Sequence, residues 1–195
     1  MKKDKINKHS DAVVNVSGIR KGFGDGGVIF SEINAEFPSL SECGGAEEIN
    51  SFYKELSDRL IEYAAGELRA VGEREFSALG EGVARFRFRR LSLCHSFRVT
   101  YSDGRYLSIV RTLTLRRGVQ TLSERSFGEV FEVGKGRFAP PESFLARSDV
   151  RKLFASEPRV KPTLENRSNF YTDGKRVIFL LSGERGVART AELHR

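Results

Sequence analysis

The sequence predicts an α+β fold: a mainly antiparallel β-sheet with one long helix packed on a face and a second short helix. Three observations carry this. Apolar residues recur at three- and four-residue spacing from about residue 46 to 77. The period then falls to two on both sides of a Ser102-Asp103-Gly104 turn. One helical pattern precedes a run of strand patterns, giving the order β-α-β-β-β-α-β-β rather than a regular strand–helix alternation.

Taken in order, residues 1–26 are polar, Lys-bearing and Gly-punctuated and read as a flexible lead-in, with a single domain over 27–195. Val28 to Phe37 is β-rich, and Pro38 ends it. Gly44-Gly45 opens the long helix, whose stripe is Ile49, Phe52, Tyr53, Leu56, Leu60, Tyr63, Ala64 and Leu68. Glu47 and Glu48 suit its positive N-terminal end, and Gly66 or Gly72 should kink it. From Val83 the pattern alternates: Phe86 and Phe88 against Arg85, Arg87 and Arg89. After Arg90 the phase slips by one, which predicts a bulge, and Leu91, Leu93, His95, Phe97, Val99 and Tyr101 share a face.

A three-residue loop at Ser102-Asp103-Gly104 would pair Val99 with Leu107, Phe97 with Ile109, Leu93 with Leu113 and Leu91 with Leu115, apolar against apolar. Val119 to Val133 is the next strand, with Phe127, Val130 and Phe131 as core candidates, and Pro140-Pro141 ends it. Phe144 to Phe154 is the short helix. Asn169–Thr172 and Arg176–Leu181 make a hairpin around Asp173-Gly174, and Val187–Leu193 is a last strand. The long helix should lay Ile49, Phe52, Leu56, Leu60 and Tyr63 on Leu91, Leu93, Phe97, Val99, Leu107, Ile109 and Leu113.

Composition excludes several classes. A hydrophobic fraction of 39% with 15 Phe can fill a core, so wholesale disorder is excluded. Two Cys cannot make a disulfide scaffold, and Cys43 and Cys94 read as free thiols. No apolar run approaches the roughly 20 residues of a membrane span. As written the chain reads as cytoplasmic; with an export signal ahead of it, the same sequence would read as extracellular.

Catalytic patterns are incomplete. Gly22-Phe23-Gly24-Asp25-Gly26-Gly27 spells a dinucleotide-binding fingerprint without the preceding strand and following helix, so it reads as a flexible loop. Cys94 and His95 are neighbours in a strand and point to opposite faces. Cys43, Cys94, His9 and His194 lack zinc spacing, and there is no G-x-S-x-G elbow. The sequence therefore nominates no catalytic, cofactor-binding or metal residue and no cofactor, and the chain is read as a non-enzyme.

Charge is the one concentrated feature. Residues 82–120 hold nine Arg and one acid, Asp103, while residues 41–81 hold ten acids and four bases. A solvated sheet face paired with helix carboxylates explains this without a ligand. The functional alternative is a protein or anionic-polymer partner met by Arg85, Arg87, Arg89, Arg98 and Arg116, which every-second-residue spacing would set about 7 Å apart. Alternation turns Phe86 and Phe88 away from those Arg, which weighs against nucleic acid, and a membrane surface ranks last. Oligomeric state is not legible.

Four stretches carry a family resemblance: Val28-to-Pro38; Ile49-Asn50-Ser51-Phe52-Tyr53; Ser126-to-Gly136, "SFGEVFEVGKG"; and Ser168-Asn169-Phe170-Tyr171 leading into "DGKRVIFLL". In this order they resemble the bacterial domain of unknown function found in the extracellular part of the anti-sigma factor RsiV and beside the deacetylase module of PdaC. The resemblance spans roughly residues 27–195. It lacks that family's Gly-Ala-His stretch and its Tyr-x-x-Ala-Pro-Tyr segment, so lysozyme binding by RsiV attaches to no residue here. What the resemblance implies is a non-enzymatic binding or sensory module from a Gram-positive bacterium, with a cell-wall-related hydrolase or deacetylase accessory as the alternative.

Overall fold

The computed structural model describes residues 12–80, 82–156, 167–182 and 188–194. Six strands form the large sheet in chain order: β1 (Val13–Asp25), β2 (Val28–Ser41), β3 (Leu91–Ser102), β4 (Tyr106–Arg117), β5 (Gln120–Glu132) and β6 (Arg137–Phe138). Between β2 and β3 run α1 (Ala46–Tyr63), a π-helical turn (Ala64–Leu68) and α2 (Arg69–Ala78). After β6 come α3 (Arg147–Ser156) and a second sheet of β7 (Phe170–Thr172), β8 (Arg176–Ser182) and β9 (Ala188–His194). The fold is α+β. All neighbouring strands are antiparallel except β2 and β3, which pair in parallel over Ser31–Ala35 and Leu91–His95. The long helix is the reason: parallel neighbours need a crossover, and it supplies one.

The expected lead-in is a correction. Residues 13–25 are β1, paired along their whole length with β2. Gly26 (φ 55°) and Gly27 (φ 79°) both occupy the left-handed region that a two-residue hairpin turn requires, so the glycine-rich stretch is a hairpin end rather than a flexible loop. Residues 1–11, His9 among them, lie outside the described residues. β2 also runs through Pro38; β3 pairs only as far as Ala35, so Pro38 faces one strand neighbour, with Val16 opposite it.

The helix stripe packs as the spacing requires. Ile49, Tyr53, Ala64 and Leu68 are buried and Phe52, Leu56 and Leu60 partly so, whereas Tyr63 is exposed. The expected break falls at Gly66, inside the π-helical turn. There the buried Ser31 hydroxyl donates to the Ala64 carbonyl at 2.6 Å, occupying a helix acceptor from the sheet side. Gly72 has a different role: a Cβ there would lie 2.6 Å from the Phe30 carbonyl oxygen, so α2 rests directly on the backbone of β2. The facing core holds Ile33, Phe37, Leu91, Leu93, Leu107, Ile109 and Phe131, with Phe97 and Leu113 partly buried; Val99 is exposed instead.

Two local expectations are overturned. Residues 82–87 form a 3₁₀ turn, and the strand begins at Leu91, so the phase slip near Arg90 marks an element boundary rather than a bulge. Phe88 leaves the strand pattern because it packs edge-on against Phe30 and Phe76, closing the end of α2. The β3–β4 register is also two residues from that expected, with Leu93 opposite Leu115 and Phe97 opposite Arg111. Two features set it: Asp103 Oδ1 accepts from the N–H groups of Arg105 and Tyr106 at 3.1 and 2.8 Å, making Gly104-Arg105 the loop, and a bulge between Val99 and Tyr101 takes back one of the three residues that this loop shifts. A two-residue shift keeps every side chain on its face, so hydrophobic patterning cannot detect it.

The sheet's other face carries a second core: Tyr106, Val130, Phe144, Val150, Leu153, Phe154, Phe170, Val177, Phe179 and Leu181. The β7–β8 hairpin turns at Asp173-Gly174 as expected, with Gly174 at φ 87°. Gly128 admits β7 onto β5; a Cβ there would stand 2.4 Å from the Phe170 carbonyl carbon.

Candidate functional site

The five arginines nominated by charge do not form one strand row, because Arg85 and Arg87 lie in the 3₁₀ turn and Arg89 follows it. Arg85 donates through Nε to the Gly80 carbonyl at 3.0 Å, with its guanidinium 5.0 Å from the Phe76 ring centre. Arg89 donates to the carbonyls of Phe86 and Phe88, both at 3.0 Å, and its stem packs on Gly118 in the β4–β5 turn. The Gly118 N–H donates to the Arg90 carbonyl at 3.2 Å, joining the two loops. Arg116 stands just before that turn. Arg98 is apart: Arg116 pairs with Ser92, six residues along β3, roughly 20 Å away at strand rise. Its guanidinium lies over the Tyr171 ring at 5.8 Å.

Arg85, Arg87, Arg89 and Arg116 thus gather at one end of the large sheet. The two loops concerned, 82–90 and 116–122, contain six Arg and no carboxylate. Arg90 is paired with Glu32 at 2.8 Å and Arg117 with Glu75 of α2, which leaves those four. In the same two loops Phe86 is 84% exposed and Val119 fully so. Strand alternation had assigned Phe86 to a sheet face; the turn puts it in solvent among the arginines.

A second constellation was not visible in the sequence. Arg111 on β4 donates through Nε to Oε1 of Glu129 on β5 at 2.5 Å, and Tyr53 on α1 donates to Oε2 at 2.7 Å. Glu129 is buried. Burial first, and the Glu129 carboxylate second, push the Tyr53 phenol well above its ordinary value, so it remains a donor. The Arg111 guanidinium lies 4.0 Å from the Phe127 ring centre. Arg111 and Glu129 line a cleft of about 330 Å³ together with Phe52, Phe127, Phe138, Ser168 and Asn169. A larger hollow of about 400 Å³ lies between β1 and α1, but its Lys54 and Asp58 satisfy each other at 2.6 Å.

His95 is built into the packing beside β2. His95 stacks on Phe37, and its Nδ1 faces the Glu36 carbonyl at 2.8 Å, so Nδ1 carries the proton. Nε2 is buried with no hydrogen-bond partner among the described residues. Burial is the main cause that takes His95 down to about 4, and Arg111 adds to it. Cys43 and Cys94 are free thiols, and burial raises Cys43. Among the described residues no group of three or more His, Cys, Asp or Glu is placed to hold a metal ion. No helix of the described residues is long and apolar enough to cross a membrane.

Two asparagines from the motif stretches act as strand surrogates. The Asn50 carboxamide accepts from the Leu40 N–H at 2.8 Å and donates to the Leu40 carbonyl at 2.9 Å. The Asn169 carboxamide accepts from the Gly128 N–H and donates to the Leu180 carbonyl, both at 2.7 Å, tying the two sheets together.

No protein-family model and no curated protein matches this sequence. Among solved structures, the fold is similar to the crystal structure of a member of the DUF3298 family from Bacteroides fragilis. The TM-score is 0.54 at 11% identity, over 94% of this chain and 91% of that one.

Proposed function

We infer that this chain is a non-enzymatic recognition module of the RsiV/PdaC type whose partner is an acidic protein surface, met by Arg85, Arg87, Arg89 and Arg116. The fold shared with a DUF3298 member supports the module reading, as does the order of the four motif stretches. The basic end of the sheet carries the partner assignment. Four arginines without a neighbouring carboxylate in their loops raise the local potential and steer an anionic partner. The bare Phe86 and Val119 side chains of the same two loops offer apolar contact area to such a partner beside the charge. A purely polyanionic chain would leave Val119 in water, so an acidic protein with an apolar pocket fits better than a polymer.

The test is fluorescence anisotropy of a labelled acidic peptide, alternating Glu with Leu, titrated with the protein over a salt series. Affinity should fall steeply as salt rises, because charges in solvent are screened beyond roughly 10 Å at 0.1 M. A polyglutamate peptide of equal charge should bind more weakly than the Glu/Leu peptide. Salt-independent binding, or equal affinity for both peptides, contradicts the reading.

A further inference from the structure

We propose that the cleft between Phe52, Phe127 and Phe138 is a peptide-binding site, taking one large apolar side chain of an extended segment that pairs with the outer edge of β5. It rests on residues other than the basic end of the sheet, so either can fail alone.

The chemistry of the cleft selects the ligand. Both carboxylate oxygens of Glu129 are occupied, one by Arg111 and one by Tyr53. Arg111 uses Nε for Glu129, and its two Nη groups make no hydrogen bond to any described residue. The arginine's charge is already matched, so a second full anion gains little. Two amino groups with four N–H donors remain, which uncharged acceptors such as peptide carbonyls satisfy. The walls are aromatic: Phe138 stacks on Phe131 at 4.6 Å and meets Phe52 edge-on at 5.1 Å, yet is 48% exposed. A volume of about 330 Å³ is at the small end of ligand pockets, which run from roughly 300 to 1,000 Å³.

The neighbouring backbone is open in the same direction. On the outer side of β5, the Gly128 N–H is taken by Asn169 and the Val130 carbonyl by the Ala139 N–H at 2.8 Å. β6 covers only Phe131 and Glu132. In an antiparallel strand every second residue turns both backbone groups to the same side. Glu124 and Ser126 therefore turn theirs outward with Gly128 and Val130, and no described strand pairs with them there. An extended peptide can add a strand at this edge and place a side chain in the cleft, the mode in which backbone pairing supplies affinity and a pocket supplies selectivity. The Glu124 and Arg125 charges guard the edge against pairing with a second copy of the chain.

The experiment is an NMR titration of the full chain with three probes: acetyl-phenylalanine N-methylamide, acetyl-glycine N-methylamide and acetyl-phenylalanine as the carboxylate. The first should give saturable shifts at the Phe127, Gly128 and Asn169 amides and at the Arg111 Nε–H, and the glycine probe should give none. Phe138→Ala should weaken binding about fivefold while the rest of the spectrum stays in place. A capped pentapeptide with Phe at its centre should bind roughly tenfold more tightly than the single residue and slow hydrogen exchange at Glu124 and Ser126. The proposal is overturned if the phenylalanine amide gives no saturable shift, if Phe138→Ala binds as the wild type does, or if the carboxylate binds much more tightly than the amide. Unprotected Glu124 and Ser126 amides in the pentapeptide complex would overturn the edge pairing.

Discussion

Tyr53 on the long helix donates its phenolic hydrogen to Glu129 on β5 at 2.7 Å. The helix crosses between β2 and β3, so this bond reaches across the sheet to a strand two positions beyond the crossover pair. Both residues are buried, and Arg111 holds the other carboxylate oxygen. Tyr53→Phe keeps the ring packing and removes the donor, leaving a buried acceptor oxygen unmet. It should cost about 1–3 kcal/mol in urea unfolding. Arg111→Met strands the carboxylate in the same place and should cost more, about 3–5 kcal/mol. Equal stability of Tyr53→Phe and wild type would remove the bond from the account.

His95 makes stability depend on pH in a definite direction. Its folded value, about 4, is below the ordinary 6.5, so the unfolded chain takes up the proton first. The contribution is complete above pH 6.5 and is lost as pH falls from there toward 4. Between pH 6.5 and 5 the loss should be roughly 2 kcal/mol. The cause is burial first, with the Arg111 charge adding to it, and Nε2 has no hydrogen-bond partner among the described residues that could offset this. His95→Leu should flatten the stability profile over that window, whatever it does to the baseline. A mutant profile with the wild-type slope would mean the titrating group lies elsewhere.

The two helix glycines should respond oppositely to alanine. A Cβ at Gly66 meets nothing within 4 Å, whereas at Gly72 it meets the Phe30 carbonyl oxygen at 2.6 Å. Gly66→Ala should stabilise by about 0.5–1 kcal/mol through helix propensity. Gly72→Ala must push α2 off β2 and should destabilise by about 1–3 kcal/mol. Thermal melts of the two variants shifting the same way would contradict the close approach.

Sequence patterning captured what depends on a face and missed what depends on a partner. The stripe from Ile49 to Leu68 and the alternation from Leu91 to Leu115 were readable because burial repeats along each element. β1 was not readable: only Val14, Ile19 and Phe23, four or five residues apart, lean on the core, and the strand's order comes from pairing with β2. The β3–β4 register depends on the turn that Asp103 closes and on the bulge between Val99 and Tyr101, which patterning does not see. Charge counting found the basic hairpin, but only the 3₁₀ turn brings Arg85, Arg87 and Arg89 beside Arg116 and leaves Arg98 behind. The Tyr53–Glu129–Arg111 group joins residues separated by 76 and 18 positions, and no local signal marks such a meeting.

Whether the basic end of the sheet is a binding surface, rather than one part of a generally basic chain, is tested most directly by matched charge reversals on heparin. Arg85→Glu/Arg87→Glu and Arg98→Glu/Arg105→Glu change the net charge by the same amount, one pair at the cluster and one away from it. The salt needed to elute each is measured against the wild type. The account predicts a clearly earlier elution for the first pair and a small change for the second, because short-range contact with a cluster outweighs screened total charge. Equal shifts for the two pairs would contradict it and leave the arginines as solvated surface.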